Sequence, residues 1–416
     1  MKLDYTLNER LPLGKLLLYG FQWLAICIPI VITTTFIAPE GMAVLYTQKL
    51  FAIMGVTMLL QIFFGHGLPL VSGPAAALLM CVIAVSGQGK SYNEIYPSII
   101  VGAAIISIIA ASGLLKHAVR LFTPRIIVSI LILISFVTLK PAISLMYNGA
   151  DSNFVTVFSI VAITVMAFIN SKAHGVWKNT VVLWSLIIST VIYYLVEGAP
   201  RAVPKDSCES FLLIGSMRFD VGLVISFVLC SLAILVNDVG SIQSLGECIE
   251  AGGMKRRLTR GVFFTGIMDC ISSLTGVLGP VNFSLSPGVV ASMSCSSKYP
   301  LALAALLMII LSFFPDAVAC MLLIPDPVMG IMLLYLMGTQ VAAGFNLLQT
   351  SKAASSFQDG MVMALPICLC IVLTYAPAQA ISAIPEMIRP IVGNGFVMGI
   401  IFIIMLEHIF LRKSRK

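Results

Sequence analysis

Residues 65–79 read GHGLPLVSGPAAALL, and residues 279–293 read GPVNFSLSPGVVASM. Each stretch opens with an extended segment broken by Pro and Gly, passes through Ser-Gly-Pro (72–74) or Ser-Pro-Gly (286–288), and continues as small apolar residues. The residue before a proline prefers extended backbone. Proline is favourable in the first turn of a helix, where its missing N–H would be unpaired anyway. Both stretches therefore read as a short strand followed by a half-helix, starting near Pro74 and Pro287.

The rest of the chain places these breaks inside a bilayer. Of 416 residues, 59% are apolar and 10% charged, against about 25% charged in a soluble domain. Segments 124–139 and 394–411 are apolar on every side, which suits lipid rather than a water-facing surface. A span takes roughly 20 residues. Apolar runs fall at 16–38, 47–64, 68–86, 95–115, 125–147, 153–170, 180–197, 219–250, 258–278, 281–297, 300–314, 318–348, 360–377 and 391–411. The expected fold class is an all-α polytopic membrane protein of about 14 transmembrane segments. The polar external loop 199–217 divides it into a first repeat, 1–198, and a second, 218–416. Seven spans per half make the repeats inverted, an arrangement that sets transporter sites at the repeat interface near the midplane. The two breaks fall in segments 3 and 10, matching positions of the halves.

Charge placement fits this layout. With both termini in the cytoplasm, most of the 25 Lys and Arg fall inside, including Lys116, Arg120, Lys178, Lys255, Arg256, Arg257, Lys352 and Arg412, as the positive-inside rule requires. The net charge of +7 follows from that bias, and no basic patch points to nucleic acid. The first span lacks a cleavage site after it and does not read as a removed signal. The ten cysteines are scattered, mostly within spans, and Cys208 lies in the external loop without an obvious partner. Neither a disulfide framework nor a metal cluster is indicated. No phosphate-binding glycine loop, metal-ligand pair or nucleophile motif appears, so no cofactor and no enzyme activity is expected.

Irregular backbone at membrane depth persists only when buried in protein or lining a cavity. Two half-helix N-termini there would aim free N–H groups at a ligand that is anionic or rich in acceptors. Charges inside spans are functional by default. Asp238 lies deep in the eighth span, within LVNDVGSIQSLGE (235–247), and Asp269 in the middle of the ninth. Asn237 and Ser241, four apart, share a helix face. Gln22 lies in the first span and Gln243 near the inner end of the eighth. Glu247 and Glu250 read as a solvated pairing with Lys255, Arg256 and Arg257, and His66, His117, His174 and His408 as interfacial residues.

These residues resemble the nucleobase–ascorbate transporter family, which includes uracil and xanthine permeases. GFQWLAICIPIVI (20–32) is similar to its first span, GLPLVSGPAAALL to its third, 219–247 to its eighth, SLSPGVVASMSCSSKYP to its tenth and 329–348 to its twelfth. The resemblance implies fourteen helices in two inverted sevens, divided into core and gate domains that move in an elevator-like way. It also implies a homodimer in the inner membrane and proton coupling. Asn237 stands where the family has its substrate-binding glutamate, and Ser241 where it has an acid or histidine one turn on. Leu285 and Ser286 replace its Gln/Glu and Asn, and Gly288 is kept. Thr265 stands at a frequent aspartate, with Asp269 one turn further.

Three readings follow. In the first, the chain is a secondary transporter of a nucleobase or related heterocycle. Asn237, Ser241, Leu285, Ser286, Gly288, Ser72, Gly73, Pro74 and Gln22, with Ser284, would contact the small-molecule substrate. Asp238 or Asp269 would carry the coupling ion. In the second, the same fold carries a small organic or inorganic anion, with altered or no proton coupling. In the third it is a non-transporting sensor or scaffold.

Overall fold

A computed structural model describes residues 4–32, 34–39, 41–86, 90–115, 123–148, 152–173, 181–198, 217–283, 286–385, 388, 392–393 and 395–410. All but Met217 of the expected external loop lies outside these, as do Cys208, His117, His174, Ser284 and Leu285.

The principal helices are α1 (Leu13–Ile32), α2 (Ala43–Phe63), α3 (Ala76–Ser86), α4 (Tyr92–Ala111), α5 (Pro124–Met146), α6 (Ser152–Lys172) and α7 (Val181–Glu197). They continue as α8 (Val221–Cys248), α9 (Met254–Leu274), α10 (Ser286–Met293), α11 (Tyr299–Ser312), α12 (Asp326–Ser351), α13 (Phe357–Thr374) and α14 (Gly395–Met405). Among the described residues, 8 helices are long and apolar enough to cross a membrane, or 9 if α11 and the short helix Pro315–Met321, bent by 112°, form one span. The protein is a multi-pass helical membrane protein.

Lipid offers a helix no partners for free backbone groups, so polar side chains gather at helix ends. Ser91 with Glu94 boxes the start of α4, and Ser356 with Asp359 that of α13. Asp220 accepts from the Gly222 and Leu223 N–H groups at the start of α8. Along the spans, hydroxyls turn back on their own helices, Thr57 to Ile53 O and Ser135 to Leu131 O. Glycines then let backbones approach. A methyl on Gly102 of α4 would lie 2.8 Å from Phe227 O of α8, and one on Gly330 of α12 would lie 2.6 Å from Ala142 O of α5.

These contacts sort the helices into two groups. In one, α4 packs on α8 and α9, α11 on α1 and α2, and α3 on α8. In the other, α5 packs on α12 and α13, α13 on α14, and α6 on α7. The groups meet where α1 touches α7, α8 touches α5, and α10 touches α12. Cys81 of α3 and Cys230 of α8, 149 residues apart in sequence, lie side by side. Spacing along the chain carries no sign of that neighbourhood.

Candidate functional site

The two broken segments meet. Strand β1 (Ser72–Pro74) pairs antiparallel with β2 (Pro280–Asn282) in the register Ser72↔Asn282, Gly73↔Val281, Pro74↔Pro280. Phe283 N donates to Val71 O at 2.8 Å, and Ala75 N to Gly279 O at 2.9 Å. From this crossing α3 and α10 depart. Pro287 sits in the first turn of α10, as expected. Pro74 instead ends the strand, and α3 starts two residues later. Opposed prolines at 74 and 280 have no N–H to give, so the pairing closes through Ala75.

Asn282 is the hub of the crossing. Its backbone N–H donates to Asp238 Oδ1 at 2.9 Å, and its carbonyl accepts from Ser241 Oγ at 2.8 Å. Its side-chain Oδ1 accepts from Ser72 Oγ at 3.0 Å and lies 3.3 Å from His66 Nε2. The histidine fixes the orientation of that amide. Because His66 Nδ1 accepts from Leu68 N at 2.9 Å, Nε2 carries the proton of the neutral ring and must meet an acceptor. Outside the crossing, Arg257 Nη1 donates to His66 O at 2.6 Å.

Polar atoms without partners lie around this hub. Asp238, Asp269 and Asn282 are at most 1% exposed. Asp269 Oδ1 and Gln61 Oε1 have no hydrogen-bond partner among the described residues, and the Asp238 carboxyl meets the Thr265 and Asn282 side chains. The Asp269 carboxyl lies against the backbone entering β2: a methyl on Gly279 would be 2.1 Å from Oδ1. Gln61 Nε2 donates to Thr265 Oγ1 at 3.0 Å, tying α2 to α9. A native buried polar atom left unpaired asks for a functional account.

Two cavities flank the crossing. The larger, about 820 Å³, lies on the α10 side between the helix groups. Gln22 of α1, Ser244 and Glu247 of α8, Gly288 of α10 and Thr339 of α12 help to line it. The smaller, about 20 Å³, lies on the α3 side, where Asn237 and Phe283 face Ile134, Val137 and Phe396.

The structure thus divides the expected site residues. Gln22 and Gly288 line the large cavity, and Asn237 the small one. Ser241 stands 3.4 Å from Asn237 Oδ1, as their shared face predicts. Ser72, Gly73 and Pro74 form β1. Ser286 Oγ accepts from Val71 N and donates to Phe283 O, both at 3.0 Å, so it ties the crossing. Asp238 and Asp269 line neither cavity. Leu285 and Ser284 lie outside the described residues.

Two readings are corrected. His66 is not interfacial but fully buried, because the turn after α2 carries it under β2. Glu247 and Glu250 are in none of the ion pairs among the described residues and line the large cavity. The side chain of Arg257, their expected partner, turns to Gly252 O and His66 O instead. Sequence reading also passed over Asn282 and Gln61. An asparagine inside the apolar run LGPVNF was the available signal, since polar residues at membrane depth mark function.

Comparison with known proteins adds a family. The model of the Permease family (Xan_ur_permease) matches residues 14–379. The nucleobase transporter PlUacP of Paenibacillus larvae is 23% identical over 95% of each chain. The uric acid permease PucK of Bacillus subtilis is 24% identical over 86% of each. Among solved structures, the transmembrane domain of a cyanobacterial bicarbonate transporter, BicA, superposes with a TM-score of 0.63 at 14% identity. That match covers 93% of this chain and all of that one. The last likeness concerns the fold alone.

Proposed function

The chain belongs to the permease family, and we propose on that footing that it is a secondary active transporter, a proton-coupled symporter of a nucleobase or related heterocycle. The observation that carries this reading is the crossing itself. Two half-helices leave a strand pair held against the buried Asp238, beside a cavity between two helix groups.

In this reading the segments number fourteen, in inverted repeats 1–198 and 218–416. The helix contacts support it: adding or subtracting seven turns the α4–α9 pair into α11–α2 and the α4–α8 pair into α11–α1, and it leaves α5–α12 unchanged. The group holding the crossing is the core and the other the gate. The core rides past the gate like an elevator, in a homodimer in the inner membrane with both termini in the cytoplasm. The large cavity is then a vestibule open to the cytoplasm, since Glu247 and Ser351 at its rim end spans on that side.

Gln22, the backbone at Gly288 and, after the core moves, Asn237 present hydrogen-bonding groups to the base. Ser72, Ser241 and Ser286 hold the frame that positions them. Asp238 takes the proton. One oxygen accepts from Asn282 N–H and the carboxyl meets the Thr265 and Asn282 side chains, so protonation changes its bonding at the point where both half-helices are anchored. Asp269, behind Gly279, supports the same crossing.

Uptake of radiolabelled xanthine, uracil and hypoxanthine into proteoliposomes under an imposed inward proton gradient tests this. Accumulation is expected in the native protein, and gradient-driven accumulation is expected to vanish in Asp238→Asn while exchange of preloaded base continues. If no base is taken up and small anions are, the anion-carrier reading replaces this one.

A further inference from the structure

The vestibule has a sign. Its described lining includes Glu247 and Glu250 and no Lys, Arg or His. Neither glutamate forms an ion pair among the described residues. Among the described residues, the neighbouring cations are engaged or set back. Arg257 is turned to Gly252 O and His66 O, and Lys255, Arg256 and Lys352 are not among the lining side chains. The walls nearby are apolar, with Val181, Val182, Val289, Leu336 and Leu347. A cleft lined by one sign of charge with low-dielectric walls focuses its field on whatever enters, and changes the local concentration of a charged solute by roughly 10- to 1,000-fold.

We propose that this vestibule sorts solutes by charge, with Glu247 and Glu250 as the residues that do it. It passes bases in their uncharged form and repels those that are anionic at neutral pH. The inference rests on the transport reading and narrows it to a substrate class. Hypoxanthine, guanine and uracil, neutral near pH 7, belong to that class. Urate, a monoanion there, does not, although a relative of this chain is a uric acid permease. Polar groups deeper in the cavity, the Gln22 amide and the Ser244 and Thr339 hydroxyls, suit an uncharged ring edge. A solute entering from the cytoplasm meets the glutamates before those groups, so they set which protonation state arrives from that side rather than which base is read.

Competition separates this from the broader reading. Hypoxanthine uptake into inside-out vesicles, where the vestibule faces the added solutes, is measured with unlabelled urate as inhibitor, in the native protein, in Glu247→Gln/Glu250→Gln and in each single variant. The readout is the ratio of the urate inhibition constant to the hypoxanthine KM. That ratio is expected to fall about tenfold in the double variant, and less in each single one. It is also expected to fall in the native protein as salt is raised, because the field is screened over about 10 Å at 0.1 M and about 3 Å at 1 M. The salt series needs no variant and stands if the double variant fails to insert. Urate competing as well as hypoxanthine in the native protein, or a ratio indifferent to both salt and substitution, would overturn the charge filter and leave base transport standing. Absence of uptake of any base would overturn both.

Discussion

On the α10 side of the strand crossing lies a cavity of about 820 Å³, and on the α3 side one of about 20 Å³. The two sides are built from the same local unit, a three-residue strand followed by a short apolar helix. The difference therefore does not come from the crossing. It comes from the second helix group. On the α3 side, α5 and α14 press Ile134, Val137 and Phe396 towards Asn237 and Phe283. On the α10 side, α12 presents Tyr335, Thr339 and Asn346 across an open space. One frame serves both sides, and its neighbour fills one of them and leaves the other open.

If the frame is rigid, breaking it should close the comparison altogether. Asn282→Leu removes the acceptor of both Ser72 and His66. Stranding two buried donors is expected to cost about 3 kcal/mol, read as a fall in melting temperature in detergent. An unchanged melt would mean that the strands hold without their hub. His66→Leu is a milder blow, about 2 kcal/mol, since Leu68 N–H loses its acceptor while Ser72 keeps Asn282. His66→Gln, with one donor and one acceptor, is expected to restore most of it. A glutamine variant as weak as the leucine one would show that the ring's shape matters more than its bonds.

Open and closed can also be read chemically. Cys248 lines the large cavity, and Cys27 is buried at 1% exposure. A water-soluble maleimide is expected to modify Cys248 at least about tenfold faster than Cys27, as mass spectrometry of peptides would show. Equal rates would place the opening elsewhere. The smallest effect lies at the rim of the closed side. There Lys90, beyond α3, meets Asp220 at the head of α8 at 2.6 Å. The bond from Lys90, with those from the Leu223 and Gly222 N–H groups, holds the Asp220 carboxyl below its ordinary range. A depressed carboxylate stabilises above its unfolded pKa and loses that contribution as pH falls through its folded one. Both groups are about a third exposed, so the pair is worth about 0.5 kcal/mol. Native protein and Asp220→Asn are expected to melt apart at pH 7 and to converge as pH falls below about 4. A gap that persists in acid would assign the difference to the helix cap rather than to charge.

Much of this frame is legible in the chain. The prolines and glycines of 65–79 and 279–293 announce breaks at membrane depth because they cluster, whereas the lone Pro29, Pro97, Pro141 and Pro366 sit inside continuous helices. Asn237 and Ser241 on one face follow from helical periodicity. What was not legible needs a third dimension. The Ser72–Asn282 contact, the burial of His66 under β2 and the neighbourhood of Cys81 and Cys230 depend on which spans become neighbours. Local spacing says nothing about that. Glu247 and Glu250 were misread for a related reason. Nearness in sequence to Lys255, Arg256 and Arg257 suggested pairing, but the turn at 249–253 directs the Arg257 side chain to backbone carbonyls.

The strand crossing also has a timetable. Ser72 and Asn282 are 210 residues apart, and a ribosome adding about 5 to 20 residues per second needs roughly ten to forty seconds to cover that stretch. For that interval β1 sits in or beside the membrane with its edge unpaired, while the spans between the two strands are threaded. The first half of the protein is thus an unfinished product, obliged to wait for a partner still being made. Whatever shelters the open edge of residues 72–74 during that wait takes part in making a working molecule, though it leaves no trace in the finished one.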